Sequence, residues 1–435
     1  MAFATAAALL TGLAAGGAAA QDWQVTGRLS QELSAETNRG LDSDPEASVG
    51  STTTLSLTAG LDTPRTRWTL GSSVSLRAFT GAEEDDDVDV VSPAFNAGVA
   101  HRGIGWDLGG SFSFRRSNTS FNTLVSAVDF GDVGGGDVGG DPGDTGGDTG
   151  DIGGDTGGDV GGDAGAGGDT GGGDGVGTDL VTDRDATRTD ISVGGRLSLN
   201  LTRRDTVAMD IGTAVVRFSE DDTSLEPSTS FSLGSTFSRR VSALTTLSGT
   251  LSGRRILIDD EENTRSTGIT ARLGVSRQMS PRLTASFSGG ATVSLITQDE
   301  TAASGAEESV TVSPSTTGSI TYLEGDTRIG LSLSQAVSPS SDGDITDRTS
   351  ISASFSQPIN RTQSFNVATG FSRSSSTDGD GETTLGFEIA PSYSIAVTQD
   401  WNASIAYRFR LGSDEDETTT SNGVFLSVSR PLRLY

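Results

Sequence analysis

The sequence predicts an all-β chain whose strands follow one another in a single antiparallel, up-and-down barrel. Three observations lead to this fold class. Apolar and polar residues alternate along successive segments of the chain, no long segment repeats with the period of a helix, and the connections alternate between short and long. A period of two places alternate side chains on opposite faces of a strand, and turns at regular spacing are typical of sheets that close into barrels.

The alternation is clearest in the stretch Thr187–Phe218. Apolar residues occupy every second position over most of Ile191–Leu201, and the pattern resumes over Val207–Val215 after the tight connection Thr202–Asp205. This stretch is predicted to be a β-hairpin with one apolar and one polar face. Each arm reaches the roughly 9–11 residues that a tilted strand needs to cross the hydrocarbon layer of a membrane.

The composition agrees with a large β-structure that spans a membrane with strands. The chain has 435 residues, 33% of them hydrophobic, with 59 Gly, no Cys and a formal net charge of −28. Beyond the N-terminal stretch, no run of about 20 apolar residues is present, so a helical membrane anchor is not expected. Strands that alternate apolar and polar residues keep the mean hydropathy low even when one face meets lipid. The absence of Cys excludes disulfides and thiolate metal sites.

The N-terminal stretch Met1–Ala20 is rich in Ala, Leu and Gly. Ala18, Ala19 and Ala20 precede Gln21 and fit the small-residue rule for cleavage of a secretory signal peptide, although no Lys or Arg precedes the apolar core. We therefore expect a signal peptide over residues 1–20 and one barrel domain over residues 21–435. An ordinary Ala-rich helix is the alternative.

The connections between predicted strands fall into two alternating classes. The short class often carries Arg or Pro and comprises Asp62–Thr66, His101–Gly103, Thr202–Asp205, Arg239–Ala243, Gln278–Arg282, Leu323–Asp326, Pro358–Thr362 and Gln399–Asp400. The long class is mostly acidic and comprises Ala35–Gly50, Thr80–Ser92, Ser117–Ala186, Ser219–Leu225, Asp259–Asn263, Gln298–Glu308, Ser338–Asp347, Ser374–Glu382 and Gly412–Asn422. This alternation predicts about 18 strands with both termini on the side of the short turns.

The apolar phase can be followed along many of the strands. It comprises Leu55, Leu57, Leu61, Val74, Leu76, Ile104, Trp106, Leu108, Phe112, Phe114, Ile329, Leu331, Leu333, Trp401, Ile405, Tyr407 and Phe409. Several aromatic residues fall near strand ends, where amphipathic rings would form girdles at the two membrane interfaces. The segments Pro93–Ala100 and Thr349–Gln357 are short for strands that cross a membrane.

Over Gln24–Tyr435 the chain resembles bacterial outer-membrane β-barrel proteins of the porin-like kind. The resemblance is one of architecture and rests on the alternating strands and on the alternating connection lengths. It implies a place in the outer membrane of a Gram-negative bacterium, contact with its lipid, and assembly by the outer-membrane machinery through the C-terminal strand. Tyr435 agrees with the aromatic end of such strands, but the apolar row Val424, Leu426, Val428, Leu432 and Leu434 leaves it on the opposite face.

The third long connection contains a Gly/Asp-rich tract, Gly131–Asp179, built from repeated Gly-Gly-Asp-Thr/Val units. With few apolar side chains and many like charges, the tract is expected to be disordered without a ligand. Carboxylates on a Gly-rich backbone are hard-oxygen ligands, and weak Ca²⁺ candidates are Asp144, Asp148, Asp151, Asp155, Asp159 and Asp163. Their spacing differs from the nine-residue repeat of Ca²⁺-binding β-rolls, so a solvated spacer is the favoured interpretation. The porin resemblance also implies a constricting role, which so flexible a tract fits poorly.

Charged residues in the polar phase are the candidates for a pore lining. A charge facing lipid at the membrane midplane costs about 2–4 kcal/mol for Arg, so these side chains are expected to face water or one another. The candidates are Arg28, Arg77, Asp107, Arg115, Arg196, Asp210, Arg254, Arg272, Arg328, Glu388, Arg408 and Arg410, with Glu32 in the same phase. Arginines outnumber acids in this set, which favours an anion-leaning lumen. A lumen packed with ion pairs is the alternative.

The residues do not suggest catalysis. The one His, His101, falls in a short connection without a neighbouring Ser and carboxylate that could form a triad. Zn and Fe sites lack ligands, no cofactor is expected beyond weakly bound Ca²⁺, and no phosphate-binding loop or basic patch indicates nucleotides or nucleic acid.

The function predicted from the sequence is passive diffusion of small hydrophilic solutes through an outer-membrane channel. Two alternatives stay open at this point. One is a surface-display barrel whose acidic Gly/Asp loop binds Ca²⁺ or an extracellular partner, and the other is a soluble extracellular all-β adhesin. The sequence does not specify the solute or the oligomeric state.

Overall fold

The structure is a computed structural model that describes residues 23–38, 41, 47–80, 92–118, 187–219, 226–259, 264–298, 307–339, 345–376, 383–413 and 418–433. These residues form eighteen strands. Their bounds are β1 Gln24–Glu36, β2 Ser48–Asp62, β3 Thr66–Thr80, β4 Ser92–Arg102, β5 Trp106–Asn118, β6 Thr187–Asn200, β7 Asp205–Phe218, β8 Ser228–Arg240, β9 Thr245–Ile258, β10 Arg265–Ser280, β11 Leu283–Gln298, β12 Glu307–Glu324, β13 Thr327–Pro339, β14 Ile345–Asn360, β15 Gln363–Ser376, β16 Thr383–Ala396, β17 Asn402–Ser413 and β18 Thr418–Arg433.

Each strand pairs antiparallel with its sequence neighbours, and β1 also pairs with β18. The β1–β18 ladder runs from Thr26 opposite Arg433 to Glu36 opposite Gly423. The sheet is therefore closed and has no free edge, which confirms the predicted 18-stranded up-and-down barrel. Among the described residues, no helix is long and apolar enough to cross a membrane.

One row of side chains on every strand forms the outer face. Ile211 of β7 lies opposite Leu233 of β8, and these two side chains are 64% and 63% exposed. Leu273 of β10 is 77% exposed. Large apolar side chains with this much exposed surface are unfavourable in water, because each Å² of apolar area exposed to water costs about 25 cal/mol. Exposed apolar side chains along the outer row are the surface that a transmembrane barrel presents to lipid.

The connections alternate between short and long over most of the chain, but the prediction is wrong near the C-terminus. There the connection between β16 and β17 spans residues 397–401, whereas the one between β17 and β18 spans only residues 414–417, because the ends of β17 and β18 pair beyond the predicted strands. The opening hairpin is confirmed as β6 and β7, although β6 ends at Asn200 and Leu201 lies in the turn. The sequence was wrong about the turn after β4: His101 belongs to that strand, and the turn spans residues 103–105. Ile104, predicted in the apolar row, lies at this turn and is 92% exposed. Gly105 has a φ of +80°, which a residue without a Cβ adopts readily, so the turn forms there.

The two segments predicted to be short are longer in the structure. β4 has 11 residues and β14 has 16, because β14 begins at Ile345 rather than at Thr349 and ends at Asn360 rather than at Gln357. Residues 345–348 pair with β13 although they interrupt the apolar alternation. Backbone hydrogen bonds to both neighbouring strands, rather than side-chain pattern, extend this strand. The expected signal peptide, the tract Gly131–Asp179 and Tyr435 lie outside the described residues.

Candidate functional site

The inner wall of the barrel is the candidate functional site. It is formed by the row of side chains that alternates with the outer row, and this inner row is mostly Ser, Thr and Gly. Hydroxyls on adjacent strands hydrogen-bond to each other across the wall. The pairs are Thr54–Ser75 at 2.9 Å, Ser113–Ser192 at 2.6 Å, Thr270–Thr292 at 2.8 Å, Ser288–Thr317 at 2.6 Å, Ser334–Ser350 at 2.6 Å, Ser364–Ser394 at 2.6 Å and Ser404–Ser427 at 2.6 Å. Bonded hydroxyls keep these short side chains close to the backbone, so they project little into the interior.

The strand register places every one of the twelve predicted pore-lining residues on this inner row. The row contains Arg28, Arg77, Asp107, Arg115, Arg196, Asp210, Arg254, Arg272, Arg328, Glu388, Arg408 and Arg410. Arg196 and Asp210 lie directly opposite each other on β6 and β7. Contact of these side chains with a solute remains a prediction.

Several inner arginines have small or hydroxylated cross-strand neighbours. Arg272 lies between Thr250 of β9 and Gly290 of β11, and Arg328 lies opposite Ser356 of β14 on one side and Leu323 of β12 on the other. Arg328 is exposed. A guanidinium among small neighbours keeps its donors directed toward the interior, where an anion could accept them.

A different arrangement occurs where β16, β17 and β1 approach the long loops. Arg410 is 1% exposed, Glu388 is 3% exposed and Glu36 is 8% exposed. Arg410 Nη2 lies 3.3 Å from Glu36 Oε1 and donates a hydrogen bond to it and to Ser421 Oγ, also at 3.3 Å. Arg408 Nε lies 3.8 Å from Glu388 Oε1. We call Glu36, Glu388, Arg408 and Arg410 the seam cluster, because it joins both sides of the β1–β18 closure.

Gly423 of β18 makes the seam cluster possible. It lies between Glu36 of β1 and Arg408 of β17 in the strand register. A Cβ at this position would lie 2.9 Å from Glu36 Cγ and 3.1 Å from Glu36 Oε1. Glu36 therefore crosses the space above Gly423 to reach Arg410, and only a residue without a side chain leaves that space open. The Arg408 guanidinium also lies over the Phe425 ring, 4.5 Å from its centroid.

Sequence reasoning identified three members of the seam cluster and missed Glu36. Its position in the same phase as Glu32, at the end of β1, was the available signal. Sequence reasoning also missed the inner pair Arg188–Asp190, in which Arg188 Nη2 lies 2.8 Å from Asp190 Oδ1. It further missed four inner apolar side chains that are at most 7% exposed, which are Val216, Ile256, Ile258 and Ile296. These four lie near the long-loop ends of β7, β9 and β11, so the polar wall is most continuous below that level.

His101 has a structural environment at the short-turn end. Its Nδ1 lies 2.8 Å from Thr66 Oγ1, and its ring lies 5.2 Å from the Trp106 ring. Among the residues the structure describes, no three His, Cys, Asp or Glu side chains are grouped as a metal site would require. The Ca²⁺ candidates of the Gly/Asp tract lie outside those residues, and Ca²⁺ binding there stays a prediction.

No protein-family model and no curated protein matches this chain. Solved structures with a similar course of the chain include three proteins of Pseudomonas aeruginosa. OpdK, solved with vanillate, is 12% identical with a TM-score of 0.44 over 94% of this chain and 98% of that chain. OpdQ is 10% identical with a TM-score of 0.44 over 96% and 100%. OpdO is 10% identical with a TM-score of 0.44 over 95% and 98%. The fold assignment of this chain rests on its own strand pairing.

Closure, an even strand count, an apolar outer row and a polar inner row occur together in this barrel. These four properties are typical of the β-barrels of the bacterial outer membrane, and the count of eighteen strands agrees with the porin-like ones. The turns on the side of the described chain ends correspond to the periplasmic side of such barrels, and the opposite connections correspond to their extracellular side.

Proposed function

We propose that this barrel is an outer-membrane channel through which small hydrophilic solutes diffuse passively. The observation that carries the proposal is the inner wall of bonded hydroxyls. Barrels of 16–18 strands leave an aqueous channel that side chains alone do not fill. Short side chains along the inner wall leave most of that interior open.

Exposure on both faces of one strand supports an open interior. On β13 the inner residues Ser332 and Ser334 are exposed. The outer residue Leu331, which directly precedes Ser332, is 44% exposed. A sheet packed against a filled core would bury one of its two faces. The wall around β13 therefore supports passage of water and of solutes that hydroxyls can hydrate.

The charge of the wall favours anions. Arginines outnumber carboxylates on the inner row, and the seam cluster uses two of the carboxylates in buried pairs. Rings of cationic side chains attract anions into a pore and lower the barrier to their passage. The acidic extracellular loops act in the opposite sense at the mouth, so the preference is expected to be moderate.

Swelling of proteoliposomes tests the channel directly. Residues 21–435 are refolded into vesicles, and the vesicles are placed in isotonic solutions of uncharged sugars of increasing size. We expect rapid swelling with the smallest sugar and a decline as size increases. Vesicles that contain the heat-denatured chain are the control. A folded barrel that admits no sugar would contradict the proposal and favour the surface-display alternative.

A further inference from the structure

The outer face carries a group of arginines that a channel does not use. Arg116 of β5, Arg217 of β7, Arg255 of β9 and Arg265 of β10 share the phase of the lipid-facing row, and all four are exposed. Each lies within three residues of the extracellular end of its strand. We call these four residues the arginine belt.

The strand register brings the belt together on the barrel surface. Arg116, Thr189 and Arg217 lie in one row across β5, β6 and β7. Adjacent strands are about 4.8 Å apart, so the two arginine Cα atoms of this row are separated by about 10 Å. Two guanidinium groups on flexible stems can converge across that distance on one ligand, with the Thr189 hydroxyl between them.

The next part of the belt borders a cleft. The cleft has a volume of about 260 Å³, and Arg217 and Arg265 both line it together with Pro227 and Leu257. Asp259 also lines it, and that carboxylate reduces the local positive charge. The lining of the cleft therefore combines apolar and cationic side chains, which suits a ligand that has a charged head and an apolar body.

The level of the belt in the membrane identifies the ligand class. An arginine on the lipid face is far less costly near an interface than at the midplane, so these positions correspond to the headgroup layer of the outer leaflet. The belt is cationic in a chain whose formal net charge is −28. The arginine guanidinium binds phosphate through paired N–H donors, which makes it more specific for phosphate than the ammonium group of a lysine.

We propose that the arginine belt binds the phosphate headgroup of an anionic lipid in the outer leaflet. The apolar residues below the belt contact the acyl chains of the same molecule, while the guanidinium groups bind its phosphates. The site would hold this lipid at the strands β5–β10 and would not require the channel to be open.

Native mass spectrometry of the refolded barrel in detergent tests the proposal, with diphosphoryl lipid A as the probe. The test variant combines Arg116→Gln and Arg217→Gln. The matched control combines Arg239→Gln and Arg277→Gln, which remove outward arginines at the periplasmic ends of β8 and β10. Heat-modifiable gel migration shows that each variant is folded. Since a surface cation contributes about 1 kcal/mol, affinity should fall about fivefold per belt arginine removed.

Binding of a phosphorylated lipid and binding of free phosphate give different results in this experiment. We expect the parent and the periplasmic control to retain diphosphoryl lipid A equally, and the belt variant to lose most of it. Fully dephosphorylated lipid A should bind weakly to all three, and millimolar inorganic phosphate should not displace the lipid. Equal retention by the belt variant, equal binding of the dephosphorylated lipid, or displacement by inorganic phosphate would each overturn the proposal. Sugar permeation plays no part in the readout.

Discussion

Replacement of Arg410 by Met is expected to be strongly destabilising. The Arg410 side chain is 1% exposed and lies between the carboxylates of Glu36 and Glu388, which are 8% and 3% exposed. Met keeps most of the apolar volume but removes the charge, so the buried carboxylate of Glu36 would lose its contact with the Arg410 guanidinium. Removal of one partner from a buried ion pair costs about 3–5 kcal/mol, and we expect a loss of unfolding free energy in that range.

Denaturant unfolding of the refolded barrel, followed by tryptophan fluorescence, measures this loss. Arg328→Met is the matched control, because Arg328 is an exposed inner arginine and its replacement should change stability by less than about 0.5 kcal/mol. The double variant Glu36→Gln with Arg410→Met should recover part of the loss, since one uncompensated charge is removed. An Arg410→Met barrel as stable as the parent, or strict additivity in the double variant, would refute the role of the seam cluster.

Three further predictions concern the seam, the wall and the acidic loop. Gly423→Ala should cost about 1–3 kcal/mol in the same unfolding assay, since its Cβ displaces Glu36, whereas Gly268→Ala has no contact closer than 3.7 Å and should cost less. Arg272→Gln with Arg328→Gln should shift the zero-current potential in a salt gradient toward cation preference, whereas the lipid-facing pair Arg277→Gln and Arg373→Gln should not. Deletion of residues 131–179 should leave the barrel folded and its anion preference intact, as measured by single-channel recording.

Opposite results would contradict each of these. A Gly423→Ala barrel as stable as the parent would show that Glu36 can reach Arg410 by another path. An unchanged zero-current potential after loss of Arg272 and Arg328 would show that the wall does not select ions. Cation preference after loss of residues 131–179 would mean that the wall charges do not dominate permeation.

The local pattern of the chain was sufficient to predict the faces of the barrel. A period of two is a property of adjacent residues, so Arg196 and Asp210 could be placed on the polar face before their partners were known. The strand count followed from the connections, because a barrel with both termini on one side alternates turns and loops. The turn after β4 was predicted two residues too early. The sequence does not show which of the nearby glycines takes a positive φ, and in the structure it is Gly105.

Relations between distant strands were not accessible from the sequence. Glu36 and Arg410 meet only because β1 closes on β18 and because Gly423 leaves space between them. The same limit applies on the outer face. The alternation within β7 puts Arg217 in the apolar phase, but its alignment with Arg116 depends on the registers of three strands, and register is set by the assembled sheet.

The central claim is that the polar inner wall encloses a water-filled path. Single-channel conductance of refolded residues 21–435 in a planar bilayer measures that path most directly. We predict discrete, long-lived open steps with an ohmic current and a zero-current potential on the anion side in a salt gradient. A chain that inserts as a folded, heat-modifiable barrel but passes no current would contradict the claim.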